Sequence, residues 1–146
     1  MATELREIVP PDTALAFPAM RALRTHYEDE SAFVERIDTV QRAEGYRLVG
    51  VFEDERSHAL AVAGFRVGHM LAWGRFLYVD DLSTLAEARR RGYGRLLLDW
   101  LAEEARRLDC EQLHLDSGVA PDRYDAHRLY LNTGLAITSH HFARKL

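Results

Sequence analysis

The chain of 146 residues has one cysteine, Cys110. An intrachain disulfide is therefore impossible, and a cysteine-rich metal site is excluded. No apolar run approaches the roughly 20 residues that a helix needs to cross a bilayer. Residues 1–9, with Glu4, Arg6 and Glu7, lack the apolar segment of a secretory signal. Positive charge is not in excess: 19 basic against 23 acidic residues give a formal charge of -4 at pH 7. Any basic patch must then be local, and nothing global directs the chain to nucleic acid. Internal repeats, low-complexity tracts and linkers are also missing. These absences predict one cytoplasmic domain, residues 1–146, with no membrane or nucleic-acid partner. At 47% hydrophobic and 29% charged, that domain has the composition and length to bury a core.

Periodicity then places the elements. Residues 4–9 read as a short strand closed by Pro10 and Pro11. Asp12 is placed to cap a helix running to about Tyr27, kinked or divided at Pro18. A second helix starts at Ser31, with Phe33, Val34, Ile37 and Val40 on one face, and ends near Gly45. Residues 46–52 and 59–67 are strand-like, and the polar residues 53–57 between them predict an antiparallel hairpin. Residues 75–82 form another strand. A helix follows from Gly92, with Leu97, Leu101, Ala105 and Leu108 as its buried stripe and Glu103 four residues before Arg107. Residues 111–115 predict a short strand, Pro121 or Asp122 opens a last helix that Gly134 ends, and residues 137–145 alternate as a final strand. The order is βααβββαβαβ: an α/β domain, largely antiparallel in its first half, with a strand–helix–strand crossover in the second.

Between the strand at 75–82 and the next helix lies Arg89-Arg90-Arg91-Gly92-Tyr93-Gly94-Arg95. The first N–H groups of a helix lack internal partners and its dipole favours negative charge, so a glycine loop at a helix start is a natural anion site. Gly92 and Gly94 let backbone approach phosphate oxygens closely, and arginines at the rim add charge-assisted hydrogen bonds. The plain alternative is a basic surface turn with capping glycines. A P-loop is excluded, because Arg95 follows Gly94 where lysine is required. A dinucleotide fingerprint is excluded by Leu97 at the third glycine position.

Arg89-x-x-Gly92-x-Gly94 resembles the Arg/Gln-x-x-Gly-x-Gly/Ala pattern of the GNAT superfamily of acetyl-CoA-dependent N-acetyltransferases. The preceding Tyr78-Val79-Asp80-Asp81-Leu82-Ser83-Thr84 is similar to that family's fourth strand. Ala126-His127-Arg128-Leu129-Tyr130-Leu131-Asn132-Thr133-Gly134-Leu135 is similar to its Ala-x-x-x-Tyr-x-x-x-Gly-Phe helix end. The resemblance covers about residues 76–135. It implies a mixed, mostly antiparallel central sheet flanked by helices, with the fourth and fifth strands, here 75–82 and 111–116, splayed to admit the cofactor. It also implies that the amides of Arg90, Arg91, Gly92, Tyr93, Gly94 and Arg95, beside Arg89, hold the pyrophosphate of acetyl-CoA. Backbone groups of Leu82, Ser83 and Thr84 would pair with the pantetheine like an added strand. The chain departs from the family at Arg123, seven residues before Tyr130, where asparagine is common.

Acetyl transfer to an amine poses two proton problems. A lysine-like amine of pKa about 10.4 is neutral in roughly one molecule in a thousand at pH 7, so a base is needed. A departing thiolate, comparable to cysteine near pKa 8.5, gains from a proton donor. The resemblance assigns the donor to Tyr130 and the base, acting through water, to Asp80. Neighbouring strand residues face opposite sides, so only one of Asp80 and Asp81 is expected in a given cleft. Two aspartates are also poor strand formers, which singles them out. Asp81 is a candidate to orient the substrate ammonium or to bond a bulged strand; a solvated polar pair is the simpler alternative. His140 and His141, on opposite faces of the expected last strand, are candidates for substrate contact or for the base. His114 and Asp116 share a face but lack a third ligand for a metal. Cys110 reads as core, which favours direct transfer in a ternary complex over an acyl-enzyme.

The expected acceptor is a small-molecule or protein amine, and a homodimer is left open. In this family the segment around residues 24–32 shapes the acceptor site. Here its Glu28, Asp29 and Glu30 favour a cationic amine. A non-catalytic coenzyme A-binding or sensor domain is the competing function on the same fold.

Overall fold

A computed structural model describes residues 2–53 and 58–146. Strand β1, Thr3–Ile8, leads through a 3-10 turn, Asp12–Ala16, into helix α1, Phe17–Leu23. Asp12 makes no side-chain cap, and the expected long helix to Tyr27 is two short pieces. Pro18 lies in the first turn of α1, where its missing N–H costs nothing, so it starts the helix instead of kinking it. Helix α2, Glu30–Arg36, is capped by Asp29, whose carboxylate accepts from the amides of Ser31 and Ala32. It continues through a π turn, Ile37–Gln41, and a 3-10 turn, Arg42–Glu44, to Gly45 at φ 91°. The wider π turn slips the helical phase, so Phe33 and Ile37 are buried while Val40 rotates outward.

Strands β2 (Arg47–Glu53), β3 (Ala61–Met70), β4 (Gly74–Thr84) and β5 (Gln112–Leu115) complete a five-stranded sheet in the order β1-β2-β3-β4-β5. The first four pair antiparallel and β5 runs parallel to β4. The β2–β3 pairing is that of the expected hairpin, whose connecting residues 54–57 lie outside the described residues. Helix α3, Tyr93–Arg107, makes the crossover between β4 and β5, and α4, Tyr124–Asn132, follows β5.

The sheet is covered on both faces. Ile8, Phe17, Met20, Phe33, Ile37, Leu48, Phe52 and Val62 fill the side of α1 and α2. Val49, Val51, Phe65, Leu77, Val79, Leu97, Leu101 and Tyr130 fill the side of α3 and α4. Strand β2 divides its side chains between the two by simple alternation, Leu48 and Phe52 one way, Val49 and Val51 the other. Leu108 is only half-buried and caps α3, while Leu98 joins the stripe. Glu103 pairs with Arg106 at 2.5 Å, and Arg107 turns to the buried Glu104 at 2.6 Å, so both pairs are i,i+3 and the expected 103–107 pair does not form.

The expected final strand is also not formed. Leu135 donates its amide to the Tyr130 carbonyl, but residues 136–146 are exposed and belong to no strand. Alternation is a local property, whereas a strand exists only beside another backbone, and within this chain the sheet stops at β5.

Candidate active site

Two cavities meet beside β4. One of about 240 Å³ lies between the ends of β4 and β5 and is lined by Val79, Asp80, Leu82, Leu115, Asp116, Ser117, Arg123 and Tyr130, with Leu23 and Arg24 at its edge. The other, about 430 Å³, lies under α1 and α2 and is lined by His26, Tyr27, Arg36, Gln41, Tyr46, Tyr78, Asp80 and Asp81, among others. Arg24 and Asp80 belong to both, and so form the wall between them.

The first cavity exists because β4 and β5 pair only from Phe76↔Gln112 to Val79↔Leu115. Beyond that, Leu82, Ser83 and Thr84 still pair with β3, while their edge toward β5 has no strand beside it. Tyr78, opposite His114, donates its hydroxyl to Asp116 just past the last paired residue of β5.

The second cavity depends on a bulge. The β3–β4 register steps from Gly64↔Asp81 to Phe65↔Val79, which leaves Asp80 as the extra residue. Strict alternation is broken there, and both Asp80 and Asp81 face the second cavity, contrary to the expectation that only one would. Each is held by arginine. Arg66 grips Asp80 from Nε, 3.1 Å to each oxygen, and from Nη2 at 2.7 Å. Arg24, at the C-terminal end of α1, donates from Nε to Asp81 at 2.8 Å and from Nη2 to the Asp80 carbonyl at 2.9 Å. Asp81 also accepts the Tyr46 hydroxyl at 2.7 Å. Gly64 makes room for that hydroxyl, since a Cβ at residue 64 would overlap it. Burial and the neighbouring Asp81 hold the Tyr46 phenol well above its usual range, so it stays a donor. Burial raises Asp80 above the ordinary carboxylate value, and the Arg66 guanidinium opposes that rise without cancelling it.

Tyr130 is buried, 8% exposed, and lines the first cavity from α4. Burial raises its pKa, and Arg123, whose Nη2 lies 3.4 Å from the phenol oxygen, pulls it back. Arg123 also reaches Ser117 Oγ at 3.4 Å. The residue that departs from the family pattern therefore sits against the phenol.

At the start of α3, the backbone N–H groups of residues 90–95 have no hydrogen-bond acceptor among the described residues, and no side chain caps the helix. Gly92 holds φ 81°, a left-handed conformation that glycine adopts freely. A Cβ on Gly94 would press within 2.8 Å of Leu129. The side chains divide. Arg91 donates to Glu53 at 2.7 Å, and the buried Tyr93 also gives its hydroxyl to Glu53, at 2.5 Å. Arg89 and Arg90 are exposed, and Arg95 stands 3.9 Å from Asp99.

The other candidates lie apart. His140 is exposed on the tail. His141 sits there too, with Nδ1 3.5 Å from Asp116, so neither lines either cavity. His114 stacks on Trp73, with centroids 3.4 Å apart. Cys110 packs against the α3-side core and lines neither cavity. Among the described residues no group of three or more His, Cys, Asp or Glu is placed to hold a metal ion. No described helix is long and apolar enough to cross a membrane. Sequence reasoning missed Tyr46, Arg66 and the contact of Arg123. The available signals were a glycine, Gly64, inside a strand and a cation where the family has an amide.

Comparison with known proteins follows the same lines. The chain matches the model of the Acetyltransferase (GNAT) family over residues 11–135. It is 34% identical over 132 residues to the uncharacterized N-acetyltransferase YhdJ of Bacillus subtilis strain 168, covering 90% of this chain and 89% of that one. Its fold is similar to that of an acetyltransferase of Trypanosoma brucei, with TM-score 0.83, 17% identity, and 99% and 100% of the two chains covered. It is similar to a ribosomal-protein-alanine N-acetyltransferase of Brucella melitensis biovar Abortus, with TM-score 0.82, 17% identity and 99% of each chain. An aminoglycoside N-acetyltransferase solved in complex with CoA aligns with TM-score 0.78 and 13% identity, over 99% of this chain and 95% of that one.

Proposed function

The chain belongs to the Acetyltransferase (GNAT) family, and from that premise we propose that it transfers an acetyl group from acetyl-CoA directly to an amine held in the second cavity. The observation that carries this reading is the run of amides at residues 90–95, without an acceptor among the described residues. The run is set at the start of the helix that follows β4, the strand that carries Asp80 to a cavity shared with Tyr130. Such a run binds an anion: it offers N–H groups and the positive end of the helix dipole together.

The residues fit acetyl-CoA. The amides of residues 90–95 would take the pyrophosphate, with the exposed Arg89 and Arg90 beside it. Arg91 is committed to Glu53 and serves through its backbone alone. The free edge of Leu82, Ser83 and Thr84 would pair with the pantetheine arm. Bound acetyl-CoA supplies a thioester carbonyl carbon as the electrophile.

Asp80 stands in the wall between the cavities and accepts the proton that the attacking ammonium must lose, directly or through water. Its raised pKa suits that task better than an ordinary carboxylate's would. Freed of that proton, the amine attacks: a C–N bond forms, the C–S bond breaks, and Tyr130 gives its phenolic proton to the departing sulfur. The nitrogen loses its second proton to water, and Tyr130 is reprotonated from solvent. Its raised pKa keeps that proton in place at neutral pH. Arg123 adds positive charge where the thiolate develops. Asp81, already holding Tyr46 and Arg24, shapes the cavity and orients the amine.

A panel of amines assayed for release of coenzyme A thiol tests this. Amine-dependent release is expected from the wild type and not from Gly92→Val, because φ 81° strains a branched residue and shifts the backbone amides of the loop. Acetyl-CoA binding without release by any amine would instead mark a coenzyme A-binding module.

A further inference from the structure

The sheet has an open edge and the same chain has an unused strand. Beyond Leu135, residues 136–146 are exposed and make no backbone hydrogen bond among the described residues. The segment is not a polar tail. Ile137 is 84% exposed and Phe142 92%. On an extended backbone they fall on opposite faces, as suits a strand covered on both sides of a sheet. Strand β5 meets β4 on one side only, so Gln112–Leu115 presents a row of backbone donors and acceptors on the other.

The tail does not fill that edge within its own chain. It reaches the β5 end through a side-chain pair, His141 Nδ1 to Asp116 Oδ1 at 3.5 Å. Hydrogen-bonded strands lie about 4.7–4.9 Å apart, axis to axis. The tail has no backbone pairing among the described residues.

We propose that two copies of this chain associate by strand exchange, each laying residues 136–146 of its tail along the open β5 edge of the other. Two features select a second copy. The chain carries both halves of the joint, so a two-fold axis satisfies both at once in a closed, self-complementary interface. Charge agrees: residues 136–146 hold His140, His141, Arg144 and Lys145 and no acid, whereas residues 109–116 hold Asp109, Glu111 and Asp116 and no lysine or arginine. Glu111 and Asp116 already contact the Arg75 amide and the Tyr78 hydroxyl, which fixes them as an acidic rim. Asp116 also lines the first cavity, so the exchanged strand would border the candidate site. The proposal rests on the edge and the tail, and does not require the acetyltransferase reading.

Light scattering on the eluting full chain should give twice the 16.7 kDa chain mass at micromolar concentration. A chain ending at Leu135, and the double variant Ile137→Lys/Phe142→Asp, should each elute at the single mass and keep the helical far-ultraviolet circular dichroism of a folded chain. Amide exchange on the unaltered protein gives an answer independent of any variant: residues 112–115 and 137–145 should gain protection as concentration rises. A full chain that stays at 16.7 kDa overturns the proposal, as does a dimer that survives loss of residues 136–146 or exchange at those amides that ignores concentration.

Discussion

Two clusters of carboxylate and arginine in this molecule look alike and behave oppositely. Between α3 and the sheet, Glu104 is 7% exposed and takes hydrogen bonds from Arg107 at 2.6 and 2.8 Å and an ion pair from Arg47 at 2.7 Å. Arg47 also grips Glu7 through two bonds of 2.8 Å, so β1, β2 and α3 are tied together. The Arg107 hydrogen bonds outweigh burial and hold Glu104 down at about 2. In the bulge of β4, Asp80 also has a two-pronged arginine, yet burial outweighs Arg66 and its pKa is raised. The difference lies in burial and neighbours: two arginines fasten Glu104, whereas desolvation dominates at Asp80, whose carboxylate meets one arginine while the adjacent Asp81 raises its pKa further. The first cluster ties three elements of the fold together, and the second leaves a carboxylate of raised pKa on a cavity wall, where the proposed base would stand.

The site side of this contrast breaks most sharply at Tyr130. Tyr130→Phe keeps the ring in its buried place and removes the proton donor, so turnover should fall by roughly 10²–10⁴-fold with acetyl-CoA affinity nearly unchanged. Unchanged turnover would leave Tyr130 a packing residue.

The structural side is tested at Glu104. Glu104→Gln should cost on the order of 2 kcal/mol of stability, measured by denaturant unfolding at pH 7, because buried charge-assisted bonds are lost. Turnover of the folded protein should hold. With a folded pKa of about 2 against an ordinary 4.5, this stabilisation is fully present above pH 4.5 and is lost as pH falls toward 2. The gap between wild type and variant should narrow over that window.

A smaller effect belongs to Arg123, which lowers the Tyr130 pKa that burial raises. Arg123→Gln removes the opposing charge, so the phenol should hold its proton to still higher pH and the alkaline limb of the rate profile should move upward. Arg123→Lys should largely keep the wild-type limb. A limb that stays fixed in Arg123→Gln would separate Arg123 from the phenol.

What was readable in the sequence follows from how local each feature is. The glycine loop was legible because an unpaired helix start and two glycines are contained in seven residues. The helix ending at Gly134 and the crossover at β4–α3–β5 were legible for the same reason. The Asp80 bulge was not, because a bulge is a mismatch between two strands, and Asp80 alone gives no sign of the count opposite. Tyr46 lies 35 residues from the Asp81 it holds, and in sequence it is only an aromatic at a strand start. Phase was misread where geometry changed within an element, as at the π turn that turns out Val40. The alternation at residues 137–145 was real, but whether it becomes a strand depends on a neighbour that this chain alone does not supply.

The most direct test of the central claim, that the β4 bulge keeps Asp80 as a reactive base, is a rate-versus-pH series on Asp80→Asn and Asp81→Asn with one amine acceptor. Asp80→Asn also loosens the Arg66 pair, so denaturant unfolding at pH 7 should first show each variant folded under the assay conditions. Turnover of Asp80→Asn should be lost most at low pH and recover as pH rises and more of the amine is neutral, whereas the Asp81→Asn defect should not recover. An Asp80→Asn defect equal at every pH, or recovery in Asp81→Asn instead, would contradict the account and place the base elsewhere.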